Sequence, residues 1–115
     1  MALYPGFALR QQVTTDLAVG TSGLPTVIYT ITVQSGTSAQ VTIRNGTLVT
    51  DTIVWGPTAA LTPSTTVPGL HCDFPNGLFC PLGAFADVTG TSPVVDITYN
   101  QSPFLGLQMT FVVKS

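Results

Sequence analysis

Thr26-Val27-Ile28-Tyr29-Thr30-Ile31-Thr32-Val33-Gln34 decides the fold class. Val27, Tyr29, Ile31 and Val33 fall on one face of an extended chain, and Thr26, Thr30, Thr32 and Gln34 on the other. Successive side chains of a strand point to opposite faces, so this alternation predicts a half-buried β-strand. Only Ile28 breaks it. The same period recurs in Val94–Tyr99, with Val95, Ile97 and Tyr99 against Val94, Asp96 and Thr98. It recurs in Leu107–Lys114, with Leu107, Met109, Phe111 and Val113 against Gln108, Thr110, Val112 and Lys114.

Outward from these strands, Gly/Pro-rich stretches punctuate the chain. Residues 8–19 supply one strand interrupted around Thr14-Thr15-Asp16, and Gly20–Pro25 is a loop. Ser35–Ser38 reads as a turn. Gln40–Arg44, Asn45-Gly46 and Thr47–Trp55 read as a hairpin with a two-residue type I′ turn, which opposes Ile43 to Leu48 and Val41 to Thr50. In that register Val49, Ile53 and Trp55 share the face of Thr42 and Arg44. Either a bulge restores Val49, Ile53 and Trp55 to the core, or a neighbouring subunit covers that face.

Gly56–Gly69, with Pro57, Pro63 and Pro68, suits a crossover between two sheets. His71-Cys72-Asp73-Phe74-Pro75-Asn76-Gly77-Leu78-Phe79-Cys80-Pro81 is the densest mixture of aromatic, cysteine and turn residues. Asn-Gly tolerates φ > 0, so a three-residue turn at Pro75-Asn76-Gly77 is expected, facing Cys72 to Cys80 and Phe74 to Leu78. Leu82–Thr89 resumes a strand, and Thr89–Pro93 is another turn. β-Branched residues dominate, and no capped helix-period stretch occurs. Seven or eight short strands predict an all-β fold: a single antiparallel β-sandwich over residues 8–115, jelly-roll or Greek-key-like, with an N-terminal arm at residues 1–7.

Charged residues make up only 7% of the chain, against about 25% in an average soluble domain. The mean hydropathy is +0.45. A polar surface with little charge repels itself weakly and favours association. The net charge of −2, with Arg10, Arg44 and Lys114 as the bases, argues against nucleic acid as a partner. No run approaches the roughly 20 apolar residues of a membrane helix. Met1–Gly6 lacks the basic and apolar regions of a signal peptide, so synthesis in a cytoplasm is expected.

Chemistry is harder to find. His71 and Cys72 are adjacent on a strand and diverge, which disfavours both a metal site and a Cys–His pair. Asp16, Asp51, Asp73, Asp87 and Asp96 are scattered and are expected to cap turns or face solvent. No catalytic residue, metal ligand or cofactor site is assigned. Cys72 and Cys80 are expected to be free in a cytoplasm, and their facing placement leaves a bridge geometrically feasible. Asn45-Gly46-Thr47 matches a glycosylation acceptor and is more simply a turn. Trp55 with Tyr29 and Tyr99 could offer a sugar-stacking platform, although such residues more often serve a core or interface. Leu3, Tyr4 and Phe7 need a surface, on this domain or on a neighbouring subunit. With Val49, Ile53 and Trp55 they form the expected subunit or capsid interface.

The runs Val27–Val33, Val41–Thr47, Phe74–Leu78 and Val94–Tyr99 together resemble small virion structural proteins of tailed bacteriophages, in particular capsid decoration (cement) proteins. The likeness spans roughly Thr26–Tyr99 and is one of pattern. It implies a β-sandwich that often trimerises and clamps capsomers, with the major capsid protein as partner and the virion surface as location. It carries no catalytic residues. The alternative is a head-fibre or tail module that binds a receptor or glycan.

Overall fold

A computed structural model describes residues 9–64, 66–67 and 69–101. Among them there is no helix. The strands are β1 (Leu9–Val13), β2 (Leu17–Ala18), β3 (Thr26–Asn45), β4 (Thr52–Trp55), β5 (His71–Cys80) and β6 (Ala84–Gln101). They form one antiparallel six-stranded sheet in the order β1-β6-β3-β4, with β2 also paired to β6 and β5 to β3. The expected interruption of the first strand at residues 14–16 is present. The expected N-terminal arm and the strand Leu107–Lys114 lie outside the described residues.

Two long strands replace four short ones. Ser35–Ser38 and Thr89–Pro93 are not turns between strands but bends within β3 and β6. Register shifts between Val33 and Gln40 mark the bend of β3. Ser38 at φ 52° and Gly36 at φ 127° face Ser92 at φ 50° and Gly90 at φ 116° across it. A Cβ on Gly90 would stand 2.8 Å from the carbonyl oxygens of Thr37 and Ser38, and one on Gly36 would stand 2.8 Å from the Pro93 Cα. The two bends therefore nest with no room for side chains, and glycine supplies both the space and the positive φ.

A straight 20-residue strand would be about 65 Å long. Yet Thr26, at one end of β3, pairs with Cys80, and Asn45, at the other, pairs with Ala84. Only Pro81–Gly83 separates those partners, a span of at most about 14 Å. The bends must therefore bring the two ends of β3 back together. Gly46 N donates to Gly83 O at 2.8 Å and Val19 N to Ala84 O at 2.8 Å, tying that junction. The 56–70 connection follows the bend from β4 to β5. It pairs Ala39 with Leu61 and takes the Val33 N–H on Leu70 O, so the backbone of β3 stays hydrogen-bonded between its two partner strands.

The core draws on both halves of the bent strands: Ile28, Ile31 and Val33 with Val95, Ile97 and Tyr99 in one, and Ala39, Val41 and Ile43 with Ala84, Ala86 and Val88 in the other. Val13, Val19 and Cys80 complete it. Ile28, the residue that broke the alternation, is fully buried, while Val27 and Tyr29 are half-buried. The cause is a register shift between Ile28 and Thr30, which leaves Tyr29 without a partner and reverses the parity of the strand.

The two hairpin expectations fail on register. β4 pairs Thr52 with Asn45, Ile53 with Arg44 and Trp55 with Ile43, so Gly46–Asp51 is a six-residue connection rather than a two-residue turn. Asp51 explains it: its carboxylate accepts from the backbone N–H groups of Thr47 and Leu48, both at 2.8 Å. The anticipated bulge exists between Ile43 and Arg44. It turns Trp55 to the Ile43 side and leaves Ile53 on the Arg44 side. β5 is likewise one strand. Phe74–Gly77 has no register partners and bulges out between Asp73, opposite Thr30, and Leu78, opposite Ile28.

Candidate functional site

The end of the molecule where the β3 termini meet carries several uncovered apolar side chains on adjoining segments. Leu48 is 59% exposed, Val49 45%, Ile53 45% and Leu82 64%. The backbone beneath them is cross-linked. Leu82 N donates to Asn45 Oδ1 at 2.8 Å, Gly46 N to Gly83 O at 2.8 Å, and Asp51 N to Leu48 O at 3.1 Å. Arg44 reaches both sides, with Nη1 on Asp51 O at 2.9 Å and Nη2 on Asp87 Oδ2 at 3.0 Å. Exposed apolar groups on a loop this well tied offer a contact surface that loses little entropy when covered.

The residues expected at an interface divide. Val49 and Ile53 are exposed at this end. Trp55 is half-buried against the core, its ring meeting Phe74 edge-on at 5.7 Å and 88°. That contact joins β4 to β5, so Trp55 serves the fold. Leu3, Tyr4 and Phe7 lie outside the described residues. Sequence reasoning missed Leu82, because its exposure follows from the tight connection Pro81–Gly83 rather than from any strand pattern.

A second grouping lies on the outer side of the sheet. Gln12, Asp96, Thr32 and His71 form one cross-strand row, and Arg10, Thr98, Thr30 and Asp73 the next. Thr30 and Thr98 hydroxyls hydrogen-bond at 2.6 Å. Thr32 Oγ1 shares a hydrogen bond with His71 Nδ1 at 2.6 Å, and His71 Nε2 meets Asp73 Oδ1 at 3.0 Å. Hydroxyl, imidazole and carboxylate stand in the order of an activated nucleophile. The setting differs: His71 and Asp73 are 55% and 66% exposed, and Thr32 sits mid-sheet, where strands on both sides engage its neighbouring N–H groups. The Val33 N–H beside it is taken by Leu70 O, and the three side chains link β3 to β5 across the sheet.

Two aspartates correct the expectation of capping or exposure for all five. Asp96 is buried; its Oδ2 takes Arg10 Nη2 at 2.6 Å and the Gln34 amide. Asp87 pairs with Arg44, both only 18% exposed. Asp16 and Asp51 do cap backbone, Asp16 accepting from Val88 N at 2.9 Å. Because Asp87 receives two bonds from the guanidinium, Asp87→Asn is expected to lower stability by about 2 kcal/mol without changing the fold, as read by urea unfolding.

The expected facing of Cys72 and Cys80 does not occur. Cys72 pairs with Ile31 and Cys80 with Thr26, five residues apart along β3 and roughly 16 Å by strand rise. Disulfide geometry needs Cα atoms within about 7 Å, and both cysteines are free. His71, opposite Thr32, does diverge from Cys72 as expected. Burial pushes the Cys80 thiol from 9.0 up to about 11. An unfolded thiol ionises first, so this group's contribution to stability is intact below pH 9 and is lost as pH rises toward 11. At neutral pH a thiol reagent is expected to label Cys72 readily and Cys80 only on unfolding; equal rates would contradict this placement.

The aromatic platform also fails to assemble, since Tyr99 is buried opposite Ile28 and Trp55 is held by Phe74. Among the described residues no group of three or more His, Cys, Asp or Glu is placed to hold a metal. No known protein family, curated protein or solved structure matches this chain. The geometry therefore stands alone. Leu48, Val49, Ile53 and Leu82, on segments tied to one another, stand among the chain's exposed apolar side chains.

Proposed function

We propose that this chain is a non-enzymatic virion structural protein of the capsid decoration kind, which stabilises a phage head by binding between capsomers. The exposed apolar residues Leu48, Val49 and Leu82 on cross-linked loops, with Ile53 on the adjoining β4, carry the reading. Such a surface gains from being covered by a flat, repeated partner and costs little to immobilise. The bent sheet is read as a β-sandwich, because one layer alone would leave the shared core open to water. Trimeric state and the major capsid protein as partner come from the resemblance in pattern. A trimer that binds the assembled lattice, and not its separated parts, stabilises the lattice by mass action. Size-exclusion light scattering at micromolar concentration tests the first step. A trimer of the 12.0 kDa chain is expected, and a stable monomer would overturn the oligomer reading.

A further inference from the structure

The chain contains two Asn-Gly pairs, and the fold treats them oppositely. We infer that Asn76 is a site of spontaneous modification, converting to aspartate and isoaspartate in the native protein, while Asn45 is protected. The chemistry is intramolecular. The Gly77 backbone nitrogen, having lost its proton to solvent base, attacks the Asn76 Cγ, forming a C–N bond. The tetrahedral intermediate takes a proton from solvent, the Cγ–N bond of the side-chain amide breaks, and ammonia leaves. Water then opens the cyclic imide at either carbonyl, giving aspartate or isoaspartate. Glycine at the second position permits ring closure because no Cβ obstructs it.

The reaction requires a free side-chain amide, a free backbone N–H and a backbone able to turn toward the ring. Asn45 lacks all three. Its Oδ1 accepts from Leu82 N at 2.8 Å, and Gly46 N donates to Gly83 O at 2.8 Å. Asn45 is itself held in β3 opposite Ala84 and Thr52. The Asp51 carboxylate also stands where a Cβ on Gly46 would be, so negative charge opposes the anionic nitrogen that the attack needs.

Asn76 differs in its side chain and in its backbone setting. It is exposed, and among the described residues no hydrogen bond holds its side chain. Asn76-Gly77 lies in the bulge Phe74–Gly77, which has no register partners on β3. Gly77 has φ 79°, a conformation that leaves the ladder rather than continuing it. The products add a negative charge to a chain of net charge −2, beside Asp73 on the same strand. Isoaspartate also lengthens the backbone of the bulge that presents Phe74 to Trp55.

The test is incubation of the intact folded protein at mildly alkaline pH, followed by peptide mapping with fragmentation that separates the two sites. A parallel sample is kept unfolded in urea. Conversion at Asn76 is expected to exceed that at Asn45 by at least about tenfold in the folded sample, the factor associated with opening two ordinary hydrogen bonds. In the unfolded sample the two sites should approach equal rates. Asn76→Gln, whose longer side chain closes the ring poorly, should remove the folded-state signal. Equal conversion at both sites in the folded protein would overturn the inference. So would the same selectivity in urea, or a folded-state signal that persists in the glutamine variant.

Discussion

Replacing Leu48, Val49 and Ile53 together by serine is expected to weaken each subunit or lattice contact roughly a hundredfold while leaving the fold intact. Each side chain is about half exposed in the isolated chain, so covering the remainder is worth about 1 kcal/mol per residue. Three residues lost from one contact amount to about 3 kcal/mol, or roughly two decades in affinity. The subunit itself should hardly notice. Surface substitutions of this kind usually shift stability by no more than about 0.5 kcal/mol each. Asp51, Asn45 and Arg44, which tie the loops, are untouched. Unchanged thermal unfolding with lost association is the predicted pair of results, read by calorimetry and light scattering. Undiminished association would show that the apolar end is not the contact surface.

Gly90→Val is expected to have the largest effect on stability. The φ of 116° is one that L residues rarely adopt, and the new Cβ would meet two carbonyl oxygens and the Ala39 Cα at 2.8–2.9 Å. Backbone strain of about 1–3 kcal/mol adds to an overpacking cost of similar size. The sum, roughly 2–6 kcal/mol, corresponds to a fall in melting temperature of at least about 10 °C for a domain near 100 residues. Leu82→Val is the control, since Leu82 is exposed and its change should be nearly silent. A variant at Gly90 as stable as the parent would mean that the bends of β3 and β6 do not nest as described.

What could be read in the sequence followed the reach of each physical rule. Strand periodicity depends on neighbours two residues apart, so the all-β class, the break at residues 14–16 and the burial of Ile31, Val33, Val95 and Ile97 were legible. Bulges and bends depend on what pairs across the sheet. Ser35–Ser38 and Thr89–Pro93 have turn composition, and only the close approach of Gly36 to Pro93 and of Gly90 to Thr37, Ser38 and Ala39 makes them bends in continuous strands. Asn76-Gly77 has the same dipeptide as a hairpin turn, yet β3 lies alongside and takes β5 as a single strand. Asn45-Gly46 was displaced as a two-residue turn by one side chain, the Asp51 carboxylate. Local composition carries no information about such long-range partners.

The candidate surface was legible in part for the same reason. Val49 and Ile53 stood out because their parity conflicted with the core face, and both are exposed. Trp55 shared that conflict and was rescued by the bulge at Ile43. The ion pair Arg44–Asp87 joins residues 43 positions apart, and Arg10–Asp96 joins residues 86 apart, beyond any spacing rule.

Electron microscopy of particles purified from cells that make this chain would locate the protein on or off the head. Density for the protein is expected on the outside of the head, between capsomers, with the end bearing Leu48, Val49, Ile53 and Leu82 turned toward a subunit or capsid neighbour. Particles whose heads lack the protein, or density in which that end faces open solvent, would contradict it.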